Sequence, residues 1–152
     1  MATPYNDVID IALVTIRDFK IDKLFALSPT GFDTYMEGLL VSAIPNFDCC
    51  TKDLDDRSEV LRQFNETLTN TEIKILAEYL IIEWLSSEIR DIKQITGMLQ
   101  NKKEANRYSE ANLLDKKILL KSTTIEGIDK LKVAYDFKST DWKGWSNGDY
   151  GI

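Results

Sequence analysis

Cys49 and Cys50 stand side by side, and Asp53, Asp55 and Asp56 follow within six residues, with Arg57 and Glu59 behind them. Thiolates and carboxylates this close together are the raw material of a metal site or a redox centre. Neither pattern is completed. A calcium loop needs alternating oxygen ligands, a turn glycine and a closing glutamate; Glu59 is at hand, but residues 53–59 hold no glycine. Adjacent cysteines rarely bridge each other, and two thiols without further ligands make no zinc site. The expectation is two reduced thiols beside a solvated acidic turn, with no metal and no cofactor. The chain also has no histidine. That removes the commonest general base, the commonest metal ligand and every Ser-His or Cys-His triad. Paired carboxylates or a lysine can still do such work, but the acids here fall where ordinary solvent-facing turns place them. The seven glycines are scattered and form no phosphate-cradling loop. No catalytic, cofactor-binding or metal residue is assigned, and the chain reads as a non-enzyme.

The formal charge of −6 is unevenly spread. Twelve acids face six bases up to Asn70, and thirteen face thirteen from Thr71 onward. An acidic half argues against a DNA-gripping surface, which needs clustered Lys and Arg. The basic clusters are Lys102-Lys103 with Arg107 and Lys116-Lys117 with Lys121. Interleaved Glu104, Glu110 and Asp115 make a solvated helix face the plain reading of both. The alternative is a nucleic-acid-binding packaging or regulatory protein using the Lys102/Lys103/Arg107 patch. No apolar run approaches the roughly 20 residues of a membrane span, and the N-terminus carries no signal-peptide pattern. A cytoplasmic chain that meets no membrane is expected.

The elements that must position these residues are helical. Asn65 to Gln94 opens with Thr69 and Glu72 in capping-box spacing and then runs without Pro or Gly to Ile95. Ile73, Leu76, Ala77, Leu80 and Trp84 mark one apolar face, and Ile75, Tyr79, Ile82 and Ile89 another. A helix apolar on several sides is covered on several sides, by its own domain or by neighbouring subunits. It is the predicted core and assembly helix, with Leu76, Leu80, Trp84 and Ile89 as its key residues.

Around it the sequence predicts three more helices. The first is capped by Thr3, has Pro4 at its first position and ends near Phe19. Ile21 to Leu27 follows as a connector. A second helix starts at Ser28-Pro29, buries Phe32, Tyr35, Met36, Leu39, Leu40 and Ala43, and stops at Pro45. Val60, Leu61 and Phe64 either form one helical turn or anchor a loop across the core. A last helix runs from about Tyr108 to Phe137, capped by Ser109, with Leu113, Leu114, Ile118, Ile125, Ile128 and Leu131 as its spine. Thr123, Glu126 and Gly127 suggest a kink near Ser122. The fold class is all-α, a bundle of about four helices with a long central helix. One helical domain spans 1–136, and an extended, flexible arm spans 137–152.

That arm carries Phe137, Trp142, Trp145 and Tyr150 among glycines and serines. Disordered tails are normally poor in aromatics, whereas large aromatics concentrate at interface hot spots. The arm therefore either folds back on its own domain or docks on a partner, and docking is the reading taken.

Several strings resemble head-tail connector (neck adaptor) proteins of long-tailed bacteriophages of Gram-positive hosts. They are Tyr35 to Phe47 (YMEGLLVSAIPNF), Cys50 to Leu54 (CTKDL), Phe64, Leu68-Thr69 with Glu72-Ile73, Glu83-Trp84-Leu85, and Tyr108 to Leu114 (YSEANLL). Together they cover about residues 5 to 135; nothing beyond Asp136 resembles that pattern. The resemblance implies a structural virion protein, repeated usually twelve times in a ring beneath the portal. Such a ring extends the DNA channel, with DNA only as passing cargo. It also implies contacts with the portal protein, with adjacent copies and with the next neck or tail component, at the neck between capsid and tail after assembly in the host cytoplasm.

Overall fold

The computed structural model describes residues 2–98 and 104–140. Within them run β1 (Thr3–Pro4), α1 (Tyr5–Thr15), α2 (Phe19–Leu27), α3 (Pro29–Ala43), a 3-10 turn (Ile44–Asn46), β2 (Arg57–Ser58), β3 (Gln63–Phe64), α4 (Asn70–Met98) and α5 (Glu104–Ser139). The fold is all-α apart from one small antiparallel sheet of order β1-β3-β2, in which Thr3 and Arg57 both pair with Phe64.

The predicted central helix is α4. Its capping box forms as the spacing requires: Thr69 Oγ1 accepts from the Glu72 amide at 3.3 Å, and Glu72 Oε2 accepts from the Thr69 amide at 2.6 Å. Packed around α4 are α1, α3 and α5. The core consists of Val8 and Ala12 from α1, Met36 and Leu40 from α3, and Ile75, Leu76, Leu80 and Leu85 from α4, all without exposed surface. The chain's own helices thus cover the several apolar faces of α4, so those faces need no neighbouring subunit.

Two ties fix the direction of α1. Thr3 is stitched to residues 66–68 at its start, and Lys20, just beyond its end, reaches Glu88. Hence α1 lies parallel to α4. The partners of α5 run the other way, Tyr135 on Glu72 and Lys117 on Glu88, so α4 and α5 form an antiparallel hairpin.

Several local expectations are corrected. Thr3 does not cap α1. It is buried in β1, where Oγ1 donates to the Glu66 carbonyl at 3.1 Å and accepts from the Leu68 amide at 2.8 Å. Pro4 takes the cap position, with no side-chain hydrogen bond. The first helix stops at Thr15, and the predicted connector is helix α2, because the Asp18 carboxylate caps the Lys20 amide at 2.7 Å. The second predicted helix is α3, capped by Ser28 Oγ on the Gly31 amide as expected. α5 begins earlier than Tyr108 and ends later than Phe137, so Ser109 lies inside it. It also runs unbroken through Ser122. Thr123 and Thr124 do not restart the helix; their hydroxyls donate to the Leu120 carbonyl.

Phe64 anchors the loop across the core, stacking edge-on to Tyr5 at 5.0 Å, while Val60 and Leu61 sit exposed at the hairpin tip. Arg62 closes that tip at φ 54, a left-handed conformation that costs a non-glycine residue about 1 kcal/mol or more. Its contacts hold it there: its carbonyl accepts the Tyr5 amide, and its guanidinium pairs with Asp33 at 3.0 Å and with Glu37.

Candidate assembly surface

The predicted assembly residues divide in two. Leu76, Leu80 and Trp84 are buried in the chain's own core, and Ile89 is half-buried further along α4. Of the predicted arm residues, Phe137 belongs to α5, exposed near its end. Trp142, Trp145 and Tyr150 lie outside the described residues, as do Lys102, Lys103 and the side chain of Arg107.

Two carboxylates on α4 clasp the bundle. Glu88, only 6% exposed, accepts from Lys117 Nζ at 2.6 Å and from Lys20 Nζ at 3.2 Å. Burial works to raise its pKa, but the two ammonium groups prevail and hold the carboxyl below its usual range. Lys117 also lies over the Trp84 ring, 5.3 Å from its centre. A groove of about 510 Å³ opens here, floored by Trp84, Ile92 and Leu113 and rimmed by Arg17, Lys20 and Glu110. Its charges are of both signs, and Glu88 has spent both oxygens on lysines, so no anion or cation site results. Sequence reasoning read the Lys116-Lys117 pair as a surface feature. The signal for its true partner, one glutamate on a helix some thirty residues earlier, is not local.

Glu72 is the second clasp, with 1% of its surface exposed. Beyond the capping box it accepts from the Tyr135 hydroxyl at 2.6 Å, and that hydroxyl meets Thr51 Oγ1 at 2.8 Å and accepts the Thr51 amide at 3.0 Å. Burial pushes Glu72 up, while Tyr135 and Thr69 more than offset it and leave the carboxyl lowered. Burial, with Glu72 beside it, pushes the Tyr135 phenol up to about 12. Lys132 adds an ion pair to Asp48 at 2.5 Å. These contacts tie α5 to the start of α4 and to the loop that carries Cys49 and Cys50. Both thiols are free, half-buried and pushed upward by burial. The aspartates after them behave as a turn: Asp53 accepts the Asp55 amide, Asp55 pairs with Arg57, and Asp56 accepts from Asn65. Among the described residues no group of three His, Cys, Asp or Glu could hold a metal ion, and no helix is long and apolar enough to cross a membrane.

Apolar side chains remain uncovered on two sides. On the first, Ile11 and Val14 of α1 and Phe25 and Leu27 of α2 are exposed. A groove of about 370 Å³ lies between these helices, lined by Leu13, Ile16, Ile21, Phe25 and Phe32, with Asp10 and Asp22 among its lining residues. Phe25 and Phe32 meet edge-on at 5.1 Å. On the second side, Leu119, Val133 and Phe137 face outward from α5. Half of the spine expected to be buried is also uncovered: Leu113, Ile118 and Ile125 are exposed, whereas Ile128 is buried and Leu114 and Leu131 are half-buried.

Comparison with protein-family models, with curated proteins and with solved structures finds no match to this chain.

Proposed function

We propose that this chain is a structural virion protein, a head-tail connector subunit that forms a ring beneath a phage portal and extends its DNA channel. The observation that carries this reading is the pairing of a self-sufficient core with apolar surface left open on two sides, on α1 and α2 and on the outward face of α5. Apolar surface concentrated on particular faces marks protein contacts, and two different faces suit a head-to-tail contact, which closes into rings. The resemblance supports the same reading at the level of packing. Its strings supply Met36, Leu40, Phe47, Leu54, Phe64, Leu68, Glu72 and Trp84, all of them buried. The acidic first half suits a wall past which DNA slides without sticking. In this reading the chain performs no catalysis, and its partners are the portal, copies of itself and the next neck component.

The test is to mix the purified chain with a portal ring from a long-tailed phage of a Gram-positive host and to examine the product by sedimentation and electron microscopy. The expected outcome is an added ring of density on the portal. Absence of any association overturns the connector assignment.

A further inference from the structure

The groove between α1 and α2 is a partner-like concavity, and its occupant can be argued. Its walls are aromatic and aliphatic, Phe25, Phe32, Leu13 and Ile21, and Phe25 is 56% exposed. Asp10 and Asp22 belong to its lining and carry no ion pair among the described residues. The complement is one or two large apolar side chains next to a single cation. The chain holds such a segment beyond the described residues: Trp142-Lys143-Gly144-Trp145, in which Lys143 is the one base after Thr140.

The far end of the chain's own groove, at Ile21, is out of reach of these indoles. The described chain stops at Thr140, five residues past Tyr135, whose hydroxyl rests on Glu72 at the start of α4. The groove includes Ile21, next to Lys20, which reaches Glu88. Glu72 and Glu88 are sixteen positions apart on one helix, roughly 24 Å at 1.5 Å per residue. Moreover α5 and α1 both pack on α4, whose width adds about 10 Å to any path between them. Trp145 is five residues beyond Thr140 and reaches at most about 17 Å even when fully extended.

From this we infer that the Trp142–Trp145 segment of one copy docks in the α1–α2 groove of the next copy, with its indoles against Phe25 and Phe32 and Lys143 facing Asp10 and Asp22. The inference rests on the ring reading above and specifies its subunit contact. Because groove and segment lie at different places on the chain, each copy gives one contact and receives one, the heterologous pattern that propagates around a ring. Indoles suit the task, since they bury much area at little cost in side-chain entropy.

The test uses full-length chains in which Cys49 and Cys50 are replaced by Ser. One chain carries Val14→Cys, on the exposed lip one turn from Asp10, and the other carries Ser146→Cys, next to Trp145; all the anchoring residues stay in place. The two are mixed, mildly oxidised and read by mass under non-reducing conditions. The expected result is a mixed disulfide about tenfold above that of a control pair with Val60→Cys at the hairpin tip, a preference of about 1.4 kcal/mol. Lys143→Glu removes the excess, and Asp22→Lys in the receiving chain restores it. Yield no greater than the control overturns the inference. So does a chain carrying both cysteines that closes only on itself. If the crosslink fails while the unmodified chain still adds a ring to the portal, the groove assignment is wrong and the connector reading stands. If the portal ring fails to form, the connector reading itself falls.

Discussion

The Tyr135 hydroxyl serves three groups at once, Glu72 Oε1, Thr51 Oγ1 and the Thr51 amide. Tyr135→Phe leaves the buried Glu72 carboxylate and the Thr51 amide each short of a partner. The expected loss is about 2 kcal/mol of unfolding free energy, measured by urea denaturation. The pH dependence follows from Glu72 and Glu88. Both are lowered in the folded chain, so the stability they confer is fully present above the ordinary glutamate range and is lost as pH falls through their lowered values. Thermal melts should therefore show a steeper drop below the ordinary glutamate range in the parent chain than in a Glu72→Gln/Glu88→Gln variant. Trp84 is only 8% exposed and lies under Lys117. Trp84→Ala should cost about 3–5 kcal/mol as a large-to-small core change. A loss below about 0.5 kcal/mol, typical of surface positions, would mean that α4 is not the centre of the fold.

At the scale of elements, α5 is held unlike the others. Among its described residues only Ile128 and Tyr135 are buried apolar side chains, and its N-terminal half carries the Lys117–Glu88 pair. Glu88→Gln strands Lys117 in a largely covered position, at a cost of about 3 kcal/mol. The loss should be local: amide exchange should quicken across residues 109–121 while α1 and α3 keep their protection. If the whole bundle loosens equally, α5 is no separate unit. The same contrast explains what could be read from the chain. Both helix starts at Thr69/Glu72 and Ser28/Pro29 were legible because donor and acceptor lie within three residues of each other. The α2 helix was missed although Asp18 marks its start, because its apolar residues looked like a connector between two stronger patterns. Thr3 was misread for a different reason. Its true partners, Glu66 and Leu68, are more than sixty positions away, and capping chemistry suited the same residue locally. Likewise the spine of α5 was overcounted, since periodicity shows which residues share a face but not whether anything covers it.

For the whole molecule, the uneven charge sets the sign of its dealings with DNA. Duplex binding at physiological salt should be undetectable by fluorescence anisotropy. Micromolar affinity that falls steeply with added salt would favour the nucleic-acid-binding alternative instead. The segment after Thr140 should be dispensable for folding, because helix α5 already ends at Ser139 with the Thr140 amide on the Asp136 carbonyl. A chain ending at Thr140 should match the full chain in helical circular dichroism and melting temperature yet fail to join the neck. Unfolding of that chain would place the segment in the core, and normal assembly would make it superfluous.

The Thr3 stitch also bears on the order of synthesis. Thr3 emerges from the ribosome well before its partners and can close its bonds only after residue 68 has followed, and α1, which packs on α3 and more extensively on α4, lacks its main cover until α4 exists. At 5–20 residues per second, the interval from Thr3 to the end of α4 is about 5–20 s. During that time Val8, Ile9 and Ala12 lack the α4 part of their cluster. The N-terminal third of this chain should therefore complete its fold only after α4 is made, rather than as it emerges. Stalled nascent chains should become protease-resistant in a single step once α4 clears the exit tunnel.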